Sequence, residues 1–281
     1  MKIIERGAAG STRVAIVGGL HGDEPAGEEI VRRLADRLAD PEETAGDGTI
    51  RLIIANEPAL EAGVRYTDTD LNRAFPGDVD SDEYERALAP EILEAVDEMD
   101  AVLAIHTSHS VPPPFAIYST LTDSVRRTVT AMGVDYVLDA GGLRGTTLDS
   151  VAPHAVSVEV GRQGSDEAVE SGYEMMLGFL RAHGALVDEP PTFAPATIIE
   201  GLEEVPKGSG EPHVNYVNFE EIPEGEVFAS DDEYTHRVQE SGIVPVLASE
   251  HGYKEIFGLY GRITGTLEPS TSADEIKEQQ D

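Results

Sequence analysis

VAIVGGLHGDEPAG, residues 14–27, is the stretch from which the rest of the chain can be read. Four apolar residues, Val14–Val17, run into Gly18 and Gly19; His21 and Glu24 follow, then Pro25. Beyond them, Ile30, Val31, Leu34, Ala35 and Leu38 recur with helical spacing. This pattern predicts a buried strand, a tight turn and a helix over Pro25–Leu38 with proline in its first turn. In open α/β sheets, ligands bind in the loops at the carboxyl ends of strands. A His and a Glu three residues apart on such a loop can aim a nitrogen and an oxygen at one cation. Two ligands from a short motif plus one distant His is the pattern of a catalytic zinc with an open position.

Working outward, Met1–Arg13 reads as an opening strand and turn, and Asp40–Gly48 as an acidic loop. Thr49–Ala55 (TIRLIIA) and Ala101–Ile105 (AVLAI) are two more buried strands. Helices are expected over Asp82–Met99, Ser124–Met132 and Asp166–His183, with strands at Phe115–Tyr118, Tyr136–Leu138 and Val156–Gly161. Strands alternating with helices predict βαβ units, hence an α/β fold with a mostly parallel central sheet flanked by helices. After Asp188-Glu-Pro-Pro191 the pattern changes to short β-like segments at Ala196–Ile199, Val214–Phe219, Val227–Phe228 and Ile243–Leu247. The expected organisation is therefore an α/β catalytic domain over 1–190, a smaller all-β domain over 191–270 and a frayed tail over 271–281.

Of the 281 residues, 54 are acidic and 20 basic, giving a net charge of −34, and only Lys2, Lys207, Lys254 and Lys277 are lysines. So negative a field argues against nucleic acid or an anionic membrane surface as partner. Acid spread along the whole chain fits a protein kept in solution in a salty cytoplasm, where self-repulsion is screened. With no cysteine there is neither a disulfide framework nor thiolate chemistry. No apolar run is long enough for a signal peptide or a membrane span. The expectation is a soluble cytoplasmic protein.

His106 also follows a buried strand directly, in AIHTS, so a parallel sheet would bring it to the same rim as His21. His21, Glu24 and His106 then match a His₂Glu zinc set with water in the fourth position. Glu159, inside VSVEVG, has two readings: a residue on a solvated strand face, or a general base whose pKa is raised by apolar flanks. Arg65, Asn72 and Arg73 lie in RYTDTDLNRAFPG, where the arginines can pair with local Asp68 and Asp70 or fork onto an anionic substrate. His109, His154, His183, His213 and His236 read as surface or loop histidines.

GGLHGDEPAG, RYTDTDLNRAFPG, AIHTS and VSVEVG, in that order, resemble the succinylglutamate desuccinylase/aspartoacylase family of zinc-carboxypeptidase-like hydrolases. The resemblance covers about Val14–Gly164 by motif and, more loosely, the part up to about Gly261. It implies one zinc per chain on His21, Glu24 and His106, with Glu159 as catalytic base and acid. It implies that Arg65 polarises the scissile carbonyl, while Asn72 and Arg73 hold a substrate carboxylate. The implied activity is hydrolysis of the amide of a small N-acyl amino acid, with a homo-oligomer left open. Two places depart from the family pattern. Asp149 stands where aspartoacylases carry a second anion-binding Arg, with Arg144 the nearest cation. The family's pocket tyrosine has two neighbouring candidates in SEHGYKEIF, His251 and Tyr253, and Tyr253 is the one assigned to substrate binding. Two other readings stay open: a zinc carboxypeptidase acting on short peptides, and a non-catalytic metal-binding protein.

Overall fold

A computed structural model describes residues 1–7, 10–40, 46, 48–110, 112–143 and 145–270. Arg144, the tail 271–281 and most of the acidic loop read over Asp40–Gly48 lie outside the described residues. In chain order the elements begin β1 (Lys2–Gly7), β2 (Thr12–Gly18), α1 (Pro25–Arg37), β3 (Gly48–Ile54), α2 (Glu57–Ala62), α3 (Leu71–Ala74) and α4 (Tyr84–Val96). They continue β4 (Ala101–Ser108), β5 (Phe115–Tyr118), α5 (Asp123–Ala131), β6 (Tyr136–Asp139), α6 (Leu148–Val151), β7 (Ala155–Arg162) and α7 (Asp166–Ala182). The last third holds β8 (Ala196–Pro206), β9 (His213–Val214), β10 (Val227–Ser230), β11 (Thr235–Arg237), β12 (Ile243–Val246) and β13 (Ile256–Leu267).

Ten strands form one sheet in the order β1-β3-β2-β4-β7-β5-β6-β8-β13-β12, and β11-β10-β9 form a separate antiparallel sheet. The large sheet is mixed: five of its nine neighbouring pairs are parallel and four antiparallel. The parallel block β3-β2-β4-β7 is nevertheless continuous, so the carboxyl ends of β2, β4 and β7 share one rim. The change of pattern after Pro191 does not end the sheet. β8 pairs in parallel with β6, and β13 and β12 add beyond it. β13 is the longest strand and none was expected there, because Gly258, Gly261 and Gly265 break its apolar alternation and its pairing with β8 shifts register three times.

Period-2 alternation divides the apolar side chains of the central strands between two layers. Val14, Ile16, Leu103, Ile105, Val156, Val158 and Val160 pack with α1, α5 and α7. Ala15, Val17, Val102, Ala104 and Ala155 face the other way, toward α4 and α6. Each fully buried Val, Leu or Ile contributes about 1.5–3 kcal/mol relative to exposure, so this block fixes the strands and leaves the rim to polar residues. By the same alternation His106, Ser157 and Glu159 fall on the α4/α6 face. Both faces of β7 are covered, which removes the solvated-face reading of Glu159: it is only 5% exposed.

The approach of α1 to the end of β2 is unusually close. A Cβ added at Gly18 would lie 2.2 Å from the Gly27 carbonyl oxygen, and one at Gly27 would meet Gly19 N at 3.0 Å. Only glycine lets the first turn of α1 sit against the strand end. Gly18→Ala is therefore expected to cost about 1–3 kcal/mol, the usual penalty for overpacking, read as a lower urea midpoint at unchanged slope. Wild-type stability in that variant would show that the contact relaxes at little cost.

Candidate metal centre

After β2 the chain turns through Gly19, whose φ of 69° suits glycine, and presents His21. Gly22 is wedged against the α2 backbone, where an added Cβ would sit 2.2 Å from the Ala59 carbonyl oxygen, and its N–H donates to Arg65 O at 3.2 Å. Glu24 occupies the N-cap position of α1 but makes no side-chain cap. Its carboxylate turns instead to the rim. Oε1 meets His21 Nδ1 at 2.7 Å and accepts from Arg65 Nη1 at 3.4 Å. Oε2 meets His106 Nδ1 at 3.2 Å and accepts the Thr107 N–H at 2.9 Å. One ligand atom from each of His21, Glu24 and His106 lies within 4.8 Å of the others, and all three residues are buried.

Burial would raise the pKa of Glu24, but His21 and then His106 outweigh it and hold the carboxylate well below its ordinary range. Burial would lower that of His21; the Glu24 charge and its hydrogen bonds to Asp70 and Glu24 reverse the shift, so it is raised. Behind His21 stands Asp70. Its Oδ1 meets His21 Nε2 at 3.1 Å and accepts the Asn72 N–H at 2.9 Å, while its Oδ2 accepts from Arg65 Nε at 3.1 Å. A carboxylate on the outer ring nitrogen fixes the tautomer that leaves Nδ1 as a ligand. His106 Nε2 is buried with no hydrogen-bond partner. Two imidazoles and a carboxylate converging in a shielded rim fit a divalent cation of the zinc type.

Glu159 sits beside His106 on the neighbouring strand. Arg65 is half-buried. Burial opposes its charge, but Asp70 and Glu24, and then the Tyr253 phenol, outweigh that and raise its pKa. Tyr253 is thus within electrostatic reach of Arg65, while His251 is exposed. Asn72 is 1% exposed; its Oδ1 accepts the Leu148 N–H at 3.0 Å and its Nδ2 is buried without a partner. Arg73 lies at the surface and donates through Nη1 to Asn72 O at 2.7 Å. Asp149, on α6, is buried, accepting from Ser157 Oγ at 2.7 Å and Ser119 Oγ at 3.0 Å; Ser157 precedes Glu159 by two residues on β7. Of the histidines read as peripheral, His183 differs: it is half-buried against Thr128, and burial first and Arg127 second lower its pKa to about 4.

A profile of the succinylglutamate desuccinylase/aspartoacylase catalytic domain matches residues 11–181, more than half of the chain, including His21, Glu24, His106 and Glu159. The chain belongs to that family. It is 31% identical to aspartoacylase of Xenopus tropicalis over 173 residues, 54% of each protein, so it spans about half the length of that relative. It is 30% identical over 217 residues to an N-alpha-acetyl-L-2,4-diaminobutyric acid deacetylase of Halomonas elongata, 68% of this chain and 61% of that one. A crystal structure of a succinylglutamate desuccinylase/aspartoacylase from Rhodobacter sphaeroides superposes with a TM-score of 0.71 at 21% identity, covering 96% of this chain and 89% of that one. That likeness extends the shared fold beyond the segment matched by the family profile.

Sequence reasoning pointed to His21, Glu24 and His106, which the structure brings together, but missed one residue that backs them. Asp70 looked like a local partner for arginine and does pair with Arg65, yet it also backs His21. Its signal was the second aspartate of TDTDLN, immediately ahead of Leu71.

One divalent cation per chain is expected by elemental analysis, with His21→Ala and His106→Ala each losing it. Asp70→Asn should retain the ion but bind it about 10–100-fold more weakly, as outer-shell carboxylates do. Full occupancy in both alanine variants would dismantle the assignment.

Proposed function

We propose that this chain is a zinc-dependent hydrolase that cleaves the amide of a small N-acyl amino acid, releasing a carboxylate and the free amino acid. The observation that carries the reading is the convergence of His21, Glu24 and His106 in one buried cluster with Glu159 on the adjacent strand. The names of the aspartoacylase and deacetylase relatives support the same reaction class. A metal-binding protein without activity would have no use for a second buried carboxylate beside the ligands.

Zinc held there would supply Lewis acidity at the scissile amide. Glu159 takes a proton from the attacking water and returns it to the leaving nitrogen. Arg65 donates to the carbonyl oxygen as negative charge grows there. Asn72 through Nδ2, with the Arg73 guanidinium, holds the α-carboxylate; a buried amide donor lacking a partner supports that role. Residues 1–190 form the catalytic part. Residues 191–270 act as its cap through the loop carrying Tyr253, which favours a closed pit over the open groove of a carboxypeptidase. Asp149, a buried carboxylate next to Leu148 and Ser157, disfavours a substrate with a second carboxylate and favours neutral or cationic side chains.

Glu159→Gln should keep the metal and the fold and lose about 10²–10⁴-fold in rate, the usual worth of a general base. Unchanged turnover would leave Glu159 as a strand residue only. For specificity, kcat/KM should be higher for N-acetyl-2,4-diaminobutyrate than for N-acetylaspartate, and Asp149→Arg should narrow the gap. A wild-type preference for N-acetylaspartate would refute the reading of Asp149.

A further inference from the structure

The arm from Arg65 to Arg73 carries Arg65, Asp70, Asn72 and Arg73, yet most of it has no regular secondary structure until the short α3. Its shape is set from below by one side chain. Glu85, in the first turn of α4, is 0% exposed and accepts five hydrogen bonds. Its Oε1 takes Asn56 Nδ2 at 3.1 Å, the Thr67 N–H at 2.6 Å and Thr67 Oγ1 at 2.8 Å. Its Oε2 takes the Asp68 N–H at 3.0 Å and the Thr69 N–H at 3.1 Å. Three successive backbone N–H groups thus fold around one carboxylate, the kind of concave nest that binds anions. Burial would push the Glu85 carboxyl up, but the Thr67 N–H, the Asn56 amide and the next two N–H groups pull it down to about 2.

The clasp is reciprocal and reaches the metal rim. Asp68 Oδ2 accepts the Tyr84 N–H at 2.8 Å, so arm and helix each end on the other's carboxylate. Asn56 also caps α2 through Ala59 N at 3.3 Å and joins the β2 turn through its own N–H to Gly19 O at 2.9 Å. The Arg65 carbonyl oxygen at one end of the nest accepts the Gly22 N–H, and Asp70 at the other end backs His21.

We propose that Glu85 is a positioning residue for the metal centre: by gathering the 67–69 backbone it fixes Asp70 against His21 and Arg65 against Glu24, without touching metal or substrate. The proposal rests on the metal reading above. A glutamine at this place keeps the volume but has one acceptor oxygen and turns an NH₂ toward N–H donors, so the nest opens.

The test compares wild type, Glu85→Gln and Thr67→Val, which removes one of the five bonds, with Val129→Ala, a core change in the layer on the opposite face of the sheet. Amide hydrogen exchange is followed on the metal-free proteins, and zinc affinity is measured by chelator competition. Glu85→Gln should speed exchange across 65–73 and leave α7 protected. It should weaken zinc about tenfold, the lower end for groups outside the ligand shell. Thr67→Val should move both readouts the same way by less, and Val129→Ala should lower global stability with zinc affinity unchanged. Wild-type arm exchange and zinc affinity in folded Glu85→Gln would overturn the proposal. So would an equal loss of affinity in Val129→Ala. If Glu85→Gln fails to fold, Thr67→Val decides by the same two measurements. A wild type that binds no zinc would remove the metal reading, and arm exchange in the metal-free variants would then decide on Glu85.

Discussion

The Glu24 carboxylate is what joins the separate pieces of this site. It is only 5% exposed, and a charge so buried is costly unless it is paired and hydrogen-bonded. Here four groups from three segments meet it: His21 from its own turn, His106 and the Thr107 N–H from β4, and Arg65 from the arm. Remove the carboxylate, and two buried imidazoles, a backbone donor and a guanidinium lose their common partner. The opposing pKa shifts of Glu24 and His21 reflect this: each stabilises the charged form of the other against burial.

The backbone has to be right before that carboxylate can reach. Gly18 and Gly27 let α1 start close enough to the sheet for Glu24 to cross to β4. The in-register parallel pairing of β4 with β7 puts His106 and Glu159 side by side. Apolar residues on both faces of these strands hold the register, since a one-residue slip would send His106 and Glu159 to the opposite layer.

The central block was legible in the sequence because it obeys simple periodicities. Val14–Val17 and Ala101–Ile105 are unbroken apolar runs, as parallel strands covered on both faces must be, and His21, Glu24 and His106 follow them directly. Where local pattern and tertiary context part, the reading failed. β13 is interrupted by glycines that allow its bulged pairing with β8, so its periodicity does not show. The run Val214–Phe219 looks β-like but contributes only Val214, the second residue of β9, to a strand, the rest turning so that Phe219 can stack on Tyr136 with ring centroids 4.3 Å apart. Glu85 and Asp70 are ordinary acids among 54, and only the folded arm shows what they hold.

The loop bearing Tyr253, whose phenol acts on Arg65 through charge, is anchored elsewhere. Lys207, just past the end of β8, gives its ammonium to the carbonyl oxygens of Glu250 and Tyr253, and its N–H to Glu255 O at 2.8 Å. Its foundation is therefore the antiparallel extension of the sheet, while His21, Glu24 and His106 stand on the parallel block. The two foundations accept mutations separately. Residues 249–255 rest on Lys207 and the end of β8, so a change of length or composition there leaves in place the strand register that aims His21, Glu24 and His106. A chain built this way can change that loop without rebuilding the buried cluster of His21, Glu24 and His106.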